Sequence, residues 1–274
     1  MKMQPLSKNK RRVYLFGLVA LFFLCLPVTI LFASGFRFKS GYGFVKTGGI
    51  FISVPYADAV VSMNGTDVGT SGLLKRGFYI DDLTPGSYII LVAREGYRPW
   101  YRTLVVEQKI VSDARALLIP EEIEAIRLVY GTSTASSTRV IVRADYNEYL
   151  AAFKTPAATT TIGVSGESVF VEDGNVFVRL IDAGALPTSN FCGRPSYCVR
   201  EIPIEQGKHI AVNAVFFKGG IVYATKEGGV FLAEADIRPT TVLVPIYPRR
   251  DSEFRVIDGR LIVKDEKELY EIVL

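Results

Sequence analysis

Two closely spaced cysteines, a single histidine, two pairs of adjacent carboxylates and a cluster of aromatic rings are where side-chain type and spacing invite chemistry in this chain. Cys192 and Cys198 flank Gly193 and Pro195 in the loop-like run Asn190-Phe-Cys-Gly-Arg-Pro-Ser-Tyr-Cys198. In an oxidising compartment such a pair closes a small disulfide loop. The rival use is a metal site, but the other cysteine, Cys25, sits in an apolar run as a small hydrophobe, and there is only one histidine. A disulfide is therefore expected, and no metal or cofactor. His209 lies between apolar segments with no Gly-x-Ser-x-Gly elbow before it and no triad companions, so it reads as structural. Neighbours on a strand point to opposite faces, so neither Asp81-Asp82 nor Glu121-Glu122 is a ready carboxylate dyad. Asp173, Asp258 and Asp265 fall in turns, where Asp is expected for backbone reasons. No catalytic residue is assigned and an enzyme is not expected. Tyr97, Trp100 and Tyr101 could together stack on a sugar ring; the competing use of these rings is to fill a small core.

The elements that must carry these residues begin with residues 13–35, which contain no charged side chain and are mostly Leu, Phe, Val and Ala. As a helix at roughly 1.5 Å per residue, this stretch matches a hydrocarbon core of roughly 30 Å. Lys2, Lys8, Lys10, Arg11 and Arg12 precede it, and only Arg37 and Lys39 follow closely. The positive-inside bias keeps residues 1–12 as a cytoplasmic basic tail and sends the rest across the membrane. Pro27 is tolerable within the span, with Thr29 near enough to satisfy a freed carbonyl. A cleaved signal peptide is the alternative, with Ala33-Ser34-Gly35 as a small-residue site, but the apolar stretch exceeds the roughly 7–15 residues of a signal core. Either way the remainder is exported, and the expected location is a single-pass cell-membrane protein with extracytoplasmic domains. A net charge of +4, partly carried by the tail, and no basic stripe with interleaved aromatics argue against nucleic acid as a partner.

Beyond a juxtamembrane linker at 36–46, apolar and aromatic residues (49% and 12% of the chain) fall in short runs between turn signals, which favours strands. Segments 50–54, 59–63, 77–80, 87–93, 100–106 and 114–119 read as strands of a small antiparallel β-sandwich, with Asn64-Gly65 as a hairpin turn. Asn64-Gly-Thr66 also fits a glycosylation acceptor, but the tight turn already explains it. The order Gly49-Ile-Phe-Ile-Ser-Val-Pro55, Ala59-Val-Val-Ser-Met-Asn64-Gly65, Gly69, Leu83-Thr-Pro85-Gly86-Ser-Tyr88 and Glu95-Gly96-Tyr97-Arg98-Pro99-Trp100 resembles a PEGA domain. That family is a small β-sandwich module of bacterial and archaeal envelope proteins. The resemblance covers residues 47–120 and implies an architectural or interaction role without catalytic residues. The stretch that names the family reads Pro55-Tyr-Ala-Asp-Ala59 here, and Thr70-Ser-Gly72 stands where Thr-Pro is usual.

From residue 121 to 274 the chain repeats itself weakly. Arg139-Val-Ile-Val-Arg143 followed by Tyr149 matches Arg260-Leu-Ile-Val-Lys264 followed by Tyr270, with similar segments at 169–178 and 221–231 between them. Four such units average about 40 residues, a propeller-blade period. Lys218-Gly-Gly220, Lys226-Glu-Gly-Gly229 and Asp258-Gly259 join short strands into meanders, as in a blade. A small or partial β-propeller, an open twisted sheet and a second sandwich all satisfy this pattern. The Ser/Thr-rich runs 131–138 and 155–161 read as solvated loops.

The expected class is thus all-β after an N-terminal transmembrane helix. The expected function is that of a non-enzymatic, membrane-anchored envelope protein, held in the bilayer by residues 13–35 and binding an envelope glycan or a surface protein. A ligand-sensing or enzymatic propeller on an anchor is the alternative, and an assembly factor bracing a membrane complex is a third.

Overall fold

A computed structural model of the chain describes residues 8–39, 41, 43–132, 137–157, 160–163, 166–182, 184–204, 210–239 and 242–274. It begins with the apolar helix Lys8–Ala33, 26 residues with a mean hydropathy of 2.7 over its most apolar stretch and no buried side chain. Length and composition suffice to cross a membrane. The helix runs through Pro27. A proline leaves unbonded the carbonyl four residues back, that of Phe23, yet the Thr29 hydroxyl donates to the Cys25 carbonyl at 2.9 Å instead. Gly35, at φ +82°, ends the helix. Within the stretch read as a linker, Phe36–Lys39 and Gly43–Lys46 pair as an antiparallel ribbon, with Phe38 opposite Phe44.

A β-sandwich follows. One sheet orders Gly77–Leu83, Gly48–Ser53 and Val111–Arg115; the other orders Thr66–Thr70, Val60–Met63, Gly86–Ala93 and Trp100–Val106. Alternation places Ile50 and Ile52 from the first sheet against Val61, Ile90, Val92 and Leu104 from the second, all fully buried. The sandwich is not wholly antiparallel, because Gly48–Ser53 pairs in parallel with Val111–Arg115. The apolar spacing predicts the last strand over 114–119, whereas the strand observed is Val111–Arg115. In the structure 116–121 is a connector whose Leu118 enters the sandwich core and whose Ile119 enters the next one. The Ile119 carbonyl accepts from Arg98 N at 2.8 Å, and Glu121 N donates to the Gly96 carbonyl at 3.0 Å, so the boundary is tied down.

Among the described residues the rest of the chain forms three stacked sheets of four or five strands and the small ribbon Cys192–Arg194/Tyr197–Cys198. The first orders Thr160–Ile162, Glu167–Glu172, Asn175–Leu180 and Glu201–Ile204; the second Ala211–Phe217, Gly220–Thr225, Gly229–Ala233 and Leu243–Tyr247. The third orders Thr138–Ile141, Glu124–Tyr130, Glu268–Val273, Arg260–Asp265 and Glu253–Ile257, so the region's first strand pairs with its last. Gly220–Thr225 is buried at every position, because Ile221 and Tyr223 face the first sheet while Val222 and Ala224 face the third. A strand covered on both faces reads as an unbroken apolar run. Arg139–Arg143, expected to open a separate repeat, instead supplies the parallel edge strand of the third sheet and the start of the helix Arg143–Ala152. Tyr146, Tyr149, Leu150 and Phe153 follow helical spacing and cover that sheet's outer face over Leu128, Ile262 and Leu269. None of the sheets closes into a barrel.

Candidate functional site

The densest polar chemistry among the described residues lies where the sandwich meets the second sheet, and it is buried. On strand Trp100–Val106 alternate residues face inward: Trp100, Arg102, Leu104 and Val106. Arg102 thus occupies a core position and is 0% exposed. A guanidinium there must be paired, since leaving a charge unsolvated costs several kcal/mol. Its partners come from the segment between strands Gly229–Ala233 and Leu243–Tyr247. Arg102 Nη2 donates to Glu234 Oε2 at 2.5 Å, and Nη1 donates to the carbonyls of Arg238 at 3.1 Å and Pro239 at 2.9 Å. Nε has no hydrogen-bond partner among the described residues; Asp236 Oδ2, at 3.9 Å, is near enough to pair with the charge but too far to accept a hydrogen bond.

Trp100 Nε1–H donates to the same carboxylate, at 3.0 Å to Glu234 Oε1. Asp236 holds Arg238 in a two-pronged bond, Nε to Oδ1 at 2.8 Å and Nη2 to Oδ2 at 2.6 Å, and it also accepts the Arg238 backbone N–H at 2.8 Å. Arg238 Nη1 then reaches back to the sandwich, donating to the Asp113 carbonyl at 2.9 Å. Two guanidinium groups and two carboxylates balance, so the cluster is near neutral as a set. Glu234 still has its pKa raised, because burial penalises its charge more than Arg102 and the Trp100 hydrogen bond favour it.

Cys192 and Cys198 form a disulfide across a small hairpin, as the loop spacing suggested. The hairpin leans on the sandwich, where Ser196 Oγ donates to Glu107 Oε1 at 2.8 Å. Beside it, between the sandwich and the first two sheets, lies a cleft of ≈ 610 Å³ whose lining includes Tyr56, Arg115, Asn190, Phe216, Lys218 and Glu234. The Glu234, Asp236 and Arg238 side chains on its wall are already engaged with one another and with the sandwich.

The three aromatics weighed as a sugar platform do not share a face. Trp100 is 1% exposed and Tyr101 is 55% exposed, because they are neighbours on one strand. Tyr97 packs on Tyr56 with ring centroids 5.0 Å apart, and the Arg94 guanidinium lies over both rings. The core-filling use therefore accounts for Trp100. His209 lies outside the described residues. Asp82 pairs with Arg37 at 2.9 Å, while Asp81, Glu121 and Glu122 are exposed. Among the described residues no group of three or more His, Cys, Asp or Glu is placed to hold a metal ion.

Sequence reasoning missed the cluster itself. Its signal was Arg102, a charge sitting in phase with Trp100, Leu104 and Val106 on an inward-facing strand. Glu234-Ala-Asp-Ile-Arg238 carries no comparable mark, because its residues are ordinary for a loop. No family model matches the chain, and no curated protein matches it.

Proposed function

We propose that this chain is a non-enzymatic, membrane-anchored envelope protein. Its basic N-terminal tail stays in the cytoplasm, and its β-body stands on the opposite side of the bilayer as a rigid interaction module. The observation that carries this reading is an apolar helix whose first residues include Lys8, Lys10, Arg11 and Arg12, followed by an all-β body. The resemblance of residues 47–120 to PEGA modules supports the same role. The disulfide suits an oxidising compartment. The buried cluster at Arg102 holds sandwich and sheets in one orientation, as a spacer or presenting platform requires. Because Trp100 is buried, an envelope protein is a better partner than a glycan stacked on Tyr97, Trp100 and Tyr101.

The test is a pair of reporters fused after Leu274, one active only after export and one only in the cytosol. Activity of the first alone is expected; activity of the second alone overturns the reading. Co-purification from cross-linked membranes, set beside binding to purified cell-wall glycan, then identifies the partner class. Retention by glycan with no cross-linked protein would refute the preference for a protein.

A further inference from the structure

The ribbon Phe36–Lys39/Gly43–Lys46 carries an aromatic face with no protein cover among the described residues. Phe38 is 72% exposed and Phe44 59% exposed, and they pair across the ribbon with ring centroids 5.6 Å apart. Phe36 and Lys46 lie on the same face, with the ammonium 5.1 Å from the ring centroid. The other face is tied to the protein on both sides. Arg37 Nη1 donates to the Phe32 carbonyl at the helix end at 3.0 Å, and its Nε pairs with Asp82 of the sandwich at 2.9 Å. Thr47, just past the ribbon, accepts from Lys109 N through its carbonyl at 2.9 Å.

A two-stranded ribbon is marginal in water by itself, and a bare pair of phenylalanines makes it more so. What covers the pair follows from continuity with the helix. Ala33 ends the apolar helix and Phe36 starts the ribbon, so the two Cα atoms lie within about 10 Å of each other. The layer between hydrocarbon and water is of that order, about 5–7 Å per leaflet. Aromatic rings and lysine on one surface match that layer, with rings at the acyl boundary and ammonium among phosphates.

We propose that this ribbon is a second membrane contact, with Phe38 and Phe44 entering the headgroup–acyl boundary where the helix emerges and Lys46 meeting lipid phosphate. It rests on helix Lys8–Ala33 being a membrane span. With Arg37 linking helix end to sandwich, the contact sets the tilt of the β-body over the bilayer instead of leaving it on a loose tether.

The experiment uses the full chain in phospholipid vesicles, with Phe38→Trp and, separately, Phe44→Trp. The native Trp100 is buried and serves as the reference emission. The expected result is a blue-shifted added emission, lost to lipids labelled with a nitroxide near the headgroup more than to lipids labelled at mid-chain. Alkaline carbonate washing, run in parallel, reports on the span. A chain that resists washing while the added indole in both variants emits as in water overturns the ribbon contact and leaves the anchor standing. A chain released by washing overturns the span, and the ribbon contact with it.

Discussion

Replacing Arg102 by Met removes the guanidinium at the junction and keeps most of the apolar stem. The partners left behind set the size of the effect. Glu234, 7% exposed, would lose its counter-charge, and the Arg238 and Pro239 carbonyls would lose their shared donor. Breaking a buried ion pair from one side costs about 3–5 kcal/mol, and the lost donation to the Arg238 carbonyl, worth about 1 kcal/mol, overlaps that range. The expected loss is therefore about 4 kcal/mol, or on the order of 10 °C in Tm for a body of this size. The chain contains a single tryptophan, and Trp100 Nε1 bonds to Glu234, so its fluorescence during urea unfolding reads the junction directly. Far-UV circular dichroism of the same samples reads the sheets. In the variant the fluorescence transition should move ahead of the dichroism transition, because the sandwich parts from the second sheet before either melts. Adding Glu234→Gln should recover about 2 kcal/mol or more relative to additivity, since no uncompensated charge would then remain. A loss under about 1 kcal/mol, or a double variant equal to the sum of its singles, would refute the idea that the cluster braces the domains.

Burial raises the Glu234 pKa above its ordinary 4.5, so the folded protein keeps a proton that the unfolded chain has released. The stability this contributes is present below that ordinary value and is lost as pH rises through the folded one. Urea midpoints across acidic to neutral pH should thus show wild type declining relative to Glu234→Gln, and parallel curves would contradict it. Burial likewise pushes the Tyr223 phenol up to about 12, so its contribution is whole below the ordinary value of 10.0 and fades as pH approaches 12. Tyr223→Phe should flatten that alkaline limb, measured by tyrosinate absorbance during unfolding. Gly229→Ala, at φ +87°, would bring a Cβ within 2.2 Å of the Tyr247 carbonyl oxygen. Left-handed strain and a backbone clash together should cost about 3 kcal/mol or more. Gly259→Ala, at φ +72° with open space around it, should cost only about 1 kcal/mol, so equal midpoints for the pair would count against this geometry. Replacing Cys192 and Cys198 together by Ala should lower stability by about 2 kcal/mol on loop entropy. Added reductant should then leave that variant's urea midpoint unchanged while lowering that of the parent.

The chain's local chemistry is what its sequence determined alone. An uncharged apolar stretch behind a cluster of Lys and Arg yields a helix because every backbone group bonds within the segment. Asn64-Gly65 and Asp258-Gly259 turn at positive φ in both central residues because Asn, Asp and Gly accept that conformation by themselves. The Cys192–Cys198 loop closes within a single hairpin. The helix Arg143–Ala152 was legible in the spacing of Tyr146, Tyr149, Leu150 and Phe153, and was masked by the likeness of Arg139–Arg143 to Arg260–Lys264. Tertiary structure decided the rest: the pairing of Glu124–Tyr130 with Glu268–Val273 at the two ends of the region, the parallel pairing of Gly48–Ser53 with Val111–Arg115, and the meeting of Arg102 with Glu234. Those outcomes depend on which faces find cover once the whole chain collapses. A strand's alternation says that one face must be buried, but not which distant segment will bury it, and a charge in that alternation is paired only by whatever arrives opposite.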